Sequence, residues 1–115
     1  PCYAPKDHYI KMPPKSHFNN IDDFYTTLFH EIIHSTLKHL PERKKLDYDH
    51  EELVAELGCS MLCQEFGILQ QIDNSAAYIT NWSKFIKDNA KALTQCAGLA
   101  YKAFNFLIES PKKEK

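Results

Sequence analysis

The chain has no excess of charge of either sign, and this disfavours two classes of partner. Fourteen lysine and arginine residues stand against fifteen aspartate and glutamate residues in a chain of 115, so the formal net charge is −1. A nucleic-acid interface or a site for an anionic membrane usually needs a strong positive field. We therefore expect this segment by itself to bind neither DNA nor a membrane.

Long hydrophobic runs are also missing. No stretch approaches the roughly 20 apolar residues that a bilayer-spanning helix needs. The chain begins Pro1-Cys2-Tyr3, which is neither an initiator methionine nor a signal peptide. From this start we expect the sequence to be excised from a longer chain. A length of 115 residues suits one modest core, so we expect residues 1–115 to be a single domain.

The four cysteines include no C-x-x-C pair, so the patterns of a zinc ribbon and of a dithiol redox site are absent. Cys59 and Cys63 are four residues apart in a helical pattern, where we expect them to be small buried hydrophobic side chains. Free buried thiols are typical of a reducing compartment, and we expect the protein to be cytoplasmic.

Helical patterns dominate the rest of the sequence, and the expected fold class is α+β, mostly α. Residues 2–12 favour a small β-hairpin with a turn at Pro5-Lys6-Asp7, and the two prolines after Met12 end it. Apolar spacing and capping residues predict four helices after the hairpin, at about 20–39, 49–66, 75–87 and 90–108. On the fourth helix, Leu93, Ala100 and Tyr101 are expected to belong to the apolar face.

The segment FHEIIH contains the pattern H-E-x-x-H at residues 30–34. On a helix, His30 and His34 lie on one face a turn apart, so both imidazoles can reach one ion at the roughly 2.0–2.1 Å that zinc prefers. Glu31 is turned by about 100° around the axis and can meet a water on the metal, which is the place of a general base. The alternative is an amphipathic helix whose two histidines bind no metal.

The third ligand distinguishes the types of zinc peptidase. Metzincins extend the pattern to H-E-x-x-H-x-x-G-x-x-H, but Leu37 and Leu40 occupy the glycine and third-histidine positions here, which excludes that class. Glu52, in the second predicted helix, completes a two-histidine, one-glutamate site if the first two helices pack antiparallel. Glu56, one turn later, can then accept the second ring N–H of a ligand histidine.

Other assignments of these acidic residues stay open. Glu52 can instead be the third residue of a capping box that begins at Asp49. Glu56 can exchange roles with Glu52, and His50 is an alternative third ligand because some zinc proteases use three histidines. Glu51 is expected to be a solvated charge on the helix face.

Five segments of the chain resemble ArdC-type antirestriction proteins in content and order: YAPKDHYIKMPP, FYTTLFHEIIHST, EELVAELGCSMLC, AAYITNWSKFIKDNAKAL and QCAGLAYKAFNFLI. The similarity is to the C-terminal zincin-like metallopeptidase domain of that family, which also occurs in polyvalent proteins of phages and conjugative elements. It covers nearly the whole chain.

The resemblance implies a minimal gluzincin fold with a short sheet, an active-site helix, a glutamate helix and two packing helices. It also implies that His30, His34 and Glu52 bind Zn²⁺ and that Glu31 is the base. Family members typically carry an N-terminal single-stranded-DNA-binding domain outside these residues, so we expect any DNA binding only through that domain.

Two functions follow from these patterns. The first is a zinc-dependent metallopeptidase that hydrolyses a peptide or protein substrate, with the strand near Tyr9–Met12 pairing with the extended peptide and Tyr78 either contacting the reacting oxygen or packing in the core. The alternative is a metal-stabilised, non-catalytic module that occupies a restriction or defence protein. Glu31 favours catalysis, because a purely structural metal site does not require it.

Overall fold

A two-stranded antiparallel sheet is followed by four α-helices in the computed structural model, which describes residues 1–70 and 76–113 without the side chains of residues 78, 79 and 110–113. The fold class predicted from the sequence is confirmed. None of the helices in the described ranges combines the length and the hydropathy that crossing a bilayer would need. The elements are β1 (Cys2–Ala4), β2 (Tyr9–Lys11), α1 (Ile21–Ser35), α2 (Tyr48–Phe66), α3 (Ala76–Asp88) and α4 (Ala90–Lys113).

The hairpin lies where the sequence predicted it. Tyr3 faces Ile10 in the antiparallel register, and residues 5–8 form the turn. His8 closes this turn with a positive φ of 53°, and the Tyr3 hydroxyl donates a hydrogen bond of 2.8 Å to its Nδ1. A conformation that is unusual for a non-glycine residue is thus held by a contact across the hairpin.

Helix α1 begins at its predicted cap and ends earlier than predicted. The Asn20 side chain accepts the backbone N–H of Asp23 at 2.9 Å, which satisfies one of the free donors of the first turn. The helix was expected to reach His39 but ends at Ser35, followed by a short 3₁₀ segment at Thr36–Lys38. The Ser35 and Thr36 hydroxyls donate to carbonyl oxygens three residues earlier, and such contacts compete with regular helix bonds.

The N-cap of helix α2 is not the residue that a capping box containing Glu52 would require. Asp47, not Asp49, is the N-cap, and its carboxylate accepts the backbone N–H of His50 at 2.9 Å. Glu52 is therefore not the third residue of a capping box. Gly67 ends the helix with a positive φ of 68°, a left-handed conformation that glycine adopts without steric cost.

The hydrophobic core lies where α2 packs against α1 and α4. On α4 the buried side chains are small, and Tyr101, predicted to be in the core, is 56% exposed. The prediction was wrong because the close approach of α4 to α2 selects small residues such as Cys96, Ala100 and Ala103 along the contact. The core cluster consists of Ile33, Leu53, Val54, Ala55, Leu62, Cys96, Ala100 and Ala103. Cys59 and Cys63 are buried and free, as predicted.

Arg43 is an unexpected part of the interior. It lies in a 3₁₀ segment, Pro41–Lys45, that the sequence suggested would be a solvated loop, yet it is only 1% exposed. Its guanidinium donates to the Ile33 carbonyl oxygen at 2.9 Å and to Glu51 through Nε at 3.0 Å and Nη2 at 2.6 Å. Arg43 thus ties the end of α1 to the first turn of α2 through a two-pronged bond to a carboxylate.

Substituting Arg43 should weaken the fold strongly. Arg43→Met leaves the Glu51 carboxylate without its main partner, so we expect a loss of about 2–3 kcal/mol in the free energy of unfolding by urea. Arg43→Lys keeps the charge but not the planar fork and should lose less. Lys44→Met, at an exposed neighbour, is the control and should change stability by less than ~0.5 kcal/mol. Equal stability of the Arg43→Met and Lys44→Met variants would contradict this role.

The close contact of α1 with α2 depends on a glycine. Gly58 is buried, and a Cβ atom on it would lie 2.7 Å from Cδ1 and 2.9 Å from Cγ1 of Ile33, which is fully buried. Both distances are shorter than side chains tolerate without a shift. Glycine at this position therefore allows α1 and α2 to approach closely.

Gly58→Ala should destabilise the domain although alanine favours helices. Overpacking costs about 1–3 kcal/mol and exceeds the helix-propensity gain of about 0.5–1 kcal/mol, so the melting temperature should fall. Gly98→Ala is the matched control, because a Cβ atom there meets nothing within 4 Å, and it should raise the melting temperature slightly. A Gly58→Ala domain as stable as Gly98→Ala would show that the helices can separate without loss.

Candidate functional site

Three side chains from α1 and α2 converge on one point. The Nε2 atoms of His30 and His34 lie 3.2 Å apart. The Glu52 carboxylate is 3.0 Å from the first nitrogen and 3.3 Å from the second. These three residues, and no other group of His, Cys, Asp and Glu in the described part of the chain, form a cluster that could hold a metal ion.

The outer nitrogen of each imidazole faces a different carboxylate. Nδ1–H of His30 donates to Glu56 at 2.9 Å, and Nδ1–H of His34 donates to Glu51 at 2.8 Å. An ionised carboxylate can only accept, so a proton on each Nδ1 satisfies Glu56 and Glu51, and each Nε2 can then present its lone pair to an ion. The carboxylates thereby fix the tautomer and the orientation of both rings.

The arrangement therefore brings two imidazole nitrogens and a carboxylate together, each of which can donate an electron pair to an ion. Two Nε2 lone pairs and a carboxylate oxygen repel one another unless a cation or added protons lie among them. In a tetrahedral site with bonds of about 2.0–2.1 Å, neighbouring ligand atoms are separated by about 3.3 Å. The two Nε2 atoms are 3.2 Å apart, and the nearest Glu52 oxygen is Oε2 at 3.0 Å from His30 and Oε1 at 3.3 Å from His34. Separations of this size suit a small divalent ion.

The charges around His30 shift its pKa upward. Burial by itself lowers the pKa of His30, but the hydrogen bond and charge of Glu56, with the charges of Glu52 and Glu31, outweigh burial and raise it. The hydrogen bond from His30 in turn lowers the pKa of Glu56. The site thus carries a concentrated negative field that favours any cation placed between the rings.

Glu31 lies beside these ligands and not among them. Its residue is 8% exposed, and its side chain lines a cleft together with His34, Glu51 and Glu52. No hydrogen bond to the Glu31 carboxylate is found within the described ranges of the chain, and its oxygen atoms are not closed off from solvent. The carboxylate is therefore available to a water or a substrate in the cleft.

Glu51 has a role that the sequence did not reveal. It was expected to be a solvated charge, but its side chain is only 16% exposed and is bound by both His34 and Arg43. Burial raises the pKa of Glu51, but the hydrogen bonds and charges of His34 and Arg43 outweigh burial and lower it. Glu51 therefore stays ionised and links Arg43 to one of the candidate ligands.

The alternative third ligands lie elsewhere. His50 Nδ1 faces Asp47 at the start of α2 at 2.6 Å, and the candidate metal cluster does not include His50 or Glu56. Glu56 instead takes the position beside His30 Nδ1 described above. The side chain of Tyr78 lies outside the described residues.

The cleft next to Glu31 is formed by α1, α2, the hairpin and the loop between the helices, and its volume is about 460 Å³. Its hairpin side consists of residues of the first strand and its flanks, Pro1, Cys2, Tyr3 and Pro5. A volume of this size is typical of a site for a small ligand or a few residues of a peptide. The sequence suggested that the second strand contacts the peptide, but the lining comes from β1.

A family model described as zincin-like metallopeptidase matches residues 1–99 of this chain. Among curated proteins, the chain is 31% identical over 121 residues to the DNA primase TraC of Escherichia coli and 27% identical over 123 residues to a second protein of that name and organism. Both alignments cover 97% of this chain but only 11% and 8% of those proteins, so the chain spans about a tenth of their length.

Two solved structures are similar to this domain. Both are of the antirestriction protein ArdC from the R388 plasmid, one metal-free and one with bound Mn(II). The chain is 36% and 35% identical to them with a TM-score of 0.68 in each case, and the match covers 94% of this chain and 42% of the ArdC chain. The family match over residues 1–99, with the shared fold, shows that this chain belongs to the zincin-like metallopeptidase family.

Proposed function

We propose that this domain is a zinc-dependent metallopeptidase of the single-metal gluzincin type. The observation that carries the proposal is the convergence of His30, His34 and Glu52, with separations of 3.0 to 3.3 Å, next to the Glu31 carboxylate, which has no hydrogen-bond partner among the described residues. A purely structural metal site, in which protein ligands fill all four positions, would not need the Glu31 carboxylate beside it.

Zinc is the proposed ion because two imidazoles and one carboxylate form the ligand set of many single-zinc hydrolases. The related ArdC structure contains Mn(II), which the same nitrogen and oxygen ligands can also hold. Glu56 and Glu51 support the site by fixing the ring orientation of His30 and His34. Among the described residues, the thiols of Cys59 and Cys63 do not belong to the cluster that could hold an ion, and burial raises the pKa of the Cys59 thiol.

A divalent ion in this site would supply Lewis acidity that acidifies a water and polarises a peptide carbonyl. Glu31 takes the proton of the attacking water and later delivers it to the nitrogen of the leaving amine. The histidines and Glu52 keep the reacting groups at a fixed distance from Glu31, because their own partners hold them on two packed helices. Positioning and proton transfer are thus the contributions of this chain.

A peptide substrate can lie along β1 at the mouth of the cleft. Tyr3 of β1 and Glu31 line the same cavity, and a strand of a two-stranded sheet has one edge that is free to pair with an extended chain. Backbone pairing of this kind positions a peptide independently of its sequence. The scissile carbonyl would then face Glu31 and the candidate metal ligands.

The longer protein is proposed to be a mobile-element protein of the antirestriction type. We assign DNA binding, where it occurs, to a domain outside residues 1–115, since the net charge of this chain is −1. The buried free cysteines Cys59, Cys63 and Cys96 suit a reducing compartment, and we propose that the protein works in the cytoplasm.

Substituting the proposed base should separate metal binding from catalysis. Zinc-loaded Glu31→Gln should retain its metal, measured by mass spectrometry of the purified protein, and should cleave a mixed peptide library at least about 100-fold more slowly than wild type. Cleavage is measured by mass spectrometry of the products. Glu65→Gln, which removes one exposed carboxylate at the far end of α2, is the matched control and should cleave at the wild-type rate.

Three results would count against this function. Cleavage by Glu31→Gln at the wild-type rate would exclude Glu31 as the base. Absence of cleavage by both proteins, with His30→Ala losing metal and stability, would instead support a metal-stabilised binding module. Zinc bound by His30→Ala with wild-type affinity would place the metal elsewhere.

A further inference from the structure

A second cavity adjoins the cleft at Tyr48 and Glu52, which line both. It lies between α2 and α3 and has a volume of about 460 Å³. Because Glu52 is a candidate metal ligand, a group bound in this cavity lies next to the reacting centre.

The walls of this cavity are apolar and largely aromatic. Leu53 belongs to the core at its base, and Trp82 and Phe85 of α3 form the opposite wall, with their rings edge-to-face at 5.7 Å between centroids. Surfaces of this kind bind methylene chains, and the faces of indole and phenyl rings attract cations.

The polar groups of the cavity are acidic. Three carboxylates line it, and no Lys, Arg or His occurs among its lining residues in the described part of the chain. Two of the carboxylates already have partners, because Glu52 faces both imidazoles and Glu56 binds His30. Asp49 is exposed, and no ion pair with a lysine, arginine or histidine is found for it among the described residues. One negative charge beside aromatic walls is therefore left for a ligand.

We propose that this cavity binds a lysine or arginine side chain of the substrate, and so directs cleavage to peptide bonds next to a basic residue. This inference rests on the proposed peptidase function. The methylene stem lies against Leu53, Trp82 and Phe85, and the cationic head meets the Asp49 carboxylate. An acidic side chain would be repelled by three carboxylates, and a purely aliphatic one would leave Asp49 without a counter-charge.

The test measures binding separately from cleavage. Zinc-loaded Glu31→Gln is titrated with fluorescent peptides that differ only in one residue, placed in turn at each position: lysine, arginine, norleucine, phenylalanine or glutamate. At one position, the lysine and arginine peptides should bind at least about fivefold more tightly than the norleucine peptide, which has a similar length and no charge. The glutamate peptide should bind most weakly.

The contribution of Asp49 is measured on the same background. Adding Asp49→Asn should reduce the affinity for the lysine peptide about three- to tenfold and leave the affinity for the norleucine peptide unchanged. Unfolding of the variant would instead reduce the affinity for both peptides alike. Glu65→Gln removes the same charge away from the cavity and should preserve the preference for lysine.

The outcomes separate this inference from the proposed function. Equal binding of lysine and norleucine peptides, preference for phenylalanine, or no peptide binding at all would overturn the basic pocket. Cleavage by the wild type without preference for lysine or arginine would overturn the pocket and leave the peptidase intact. A lysine preference that depends on Asp49, in a protein that cleaves nothing, would support the pocket and refute catalysis.

Discussion

The site depends on two imidazole nitrogens and a carboxylate that are held 3.0 to 3.3 Å apart, where they repel one another unless a proton or a cation lies among them. Two Nε2 atoms 3.2 Å apart and a carboxylate gain nothing from this proximity in the absence of a positive charge. Each is held there by a second contact on its other side or by its own helix. Glu56 holds the His30 ring, and Glu51 holds the His34 ring. The surrounding structure opposes this repulsion, and the site is thereby preorganised for a cation.

The packing of α1 against α2 also holds the candidate ligands in place. Gly58 allows the helices to approach where Ile33 is fully buried. Ile33 directly precedes His34 on α1, and Gly58 follows Glu52 by six residues on α2. Arg43 joins the same two helices from the side of the connecting loop through Ile33 and Glu51. The site is therefore fixed from two sides, by apolar contact in the core and by ionic hydrogen bonds at its border.

The sequence allowed the fold class, the four helices and the hairpin to be predicted because each depends on local patterns of apolar spacing and capping. It also predicted the grouping of His30 and His34, which helical spacing determines. The grouping with Glu52 needed the additional assumption that α1 and α2 pack antiparallel. The interaction of Arg43 with Glu51 could not be predicted, because Arg43 lies in the run ERKK, whose charges suggest a loop in water. One signal was available: Arg43 is the single arginine of the chain, and arginine is the basic residue best suited to a buried bidentate bond. The exposure of Tyr101 was missed because spacing along α4 does not say how closely α2 approaches.

The position of α3 separates the residues proposed for selectivity from those proposed for catalysis. The candidate ligands and the proposed base lie on α1 and α2, and within the described ranges α3 contributes to the second cavity but not to the cleft beside Glu31. The packing of α3 is mainly with α4. If the proposed function holds, replacement of residues on its inner face would alter selectivity while reactivity is preserved. Such a division would let related domains diverge in their targets through a single helix, without a change in the candidate metal ligands.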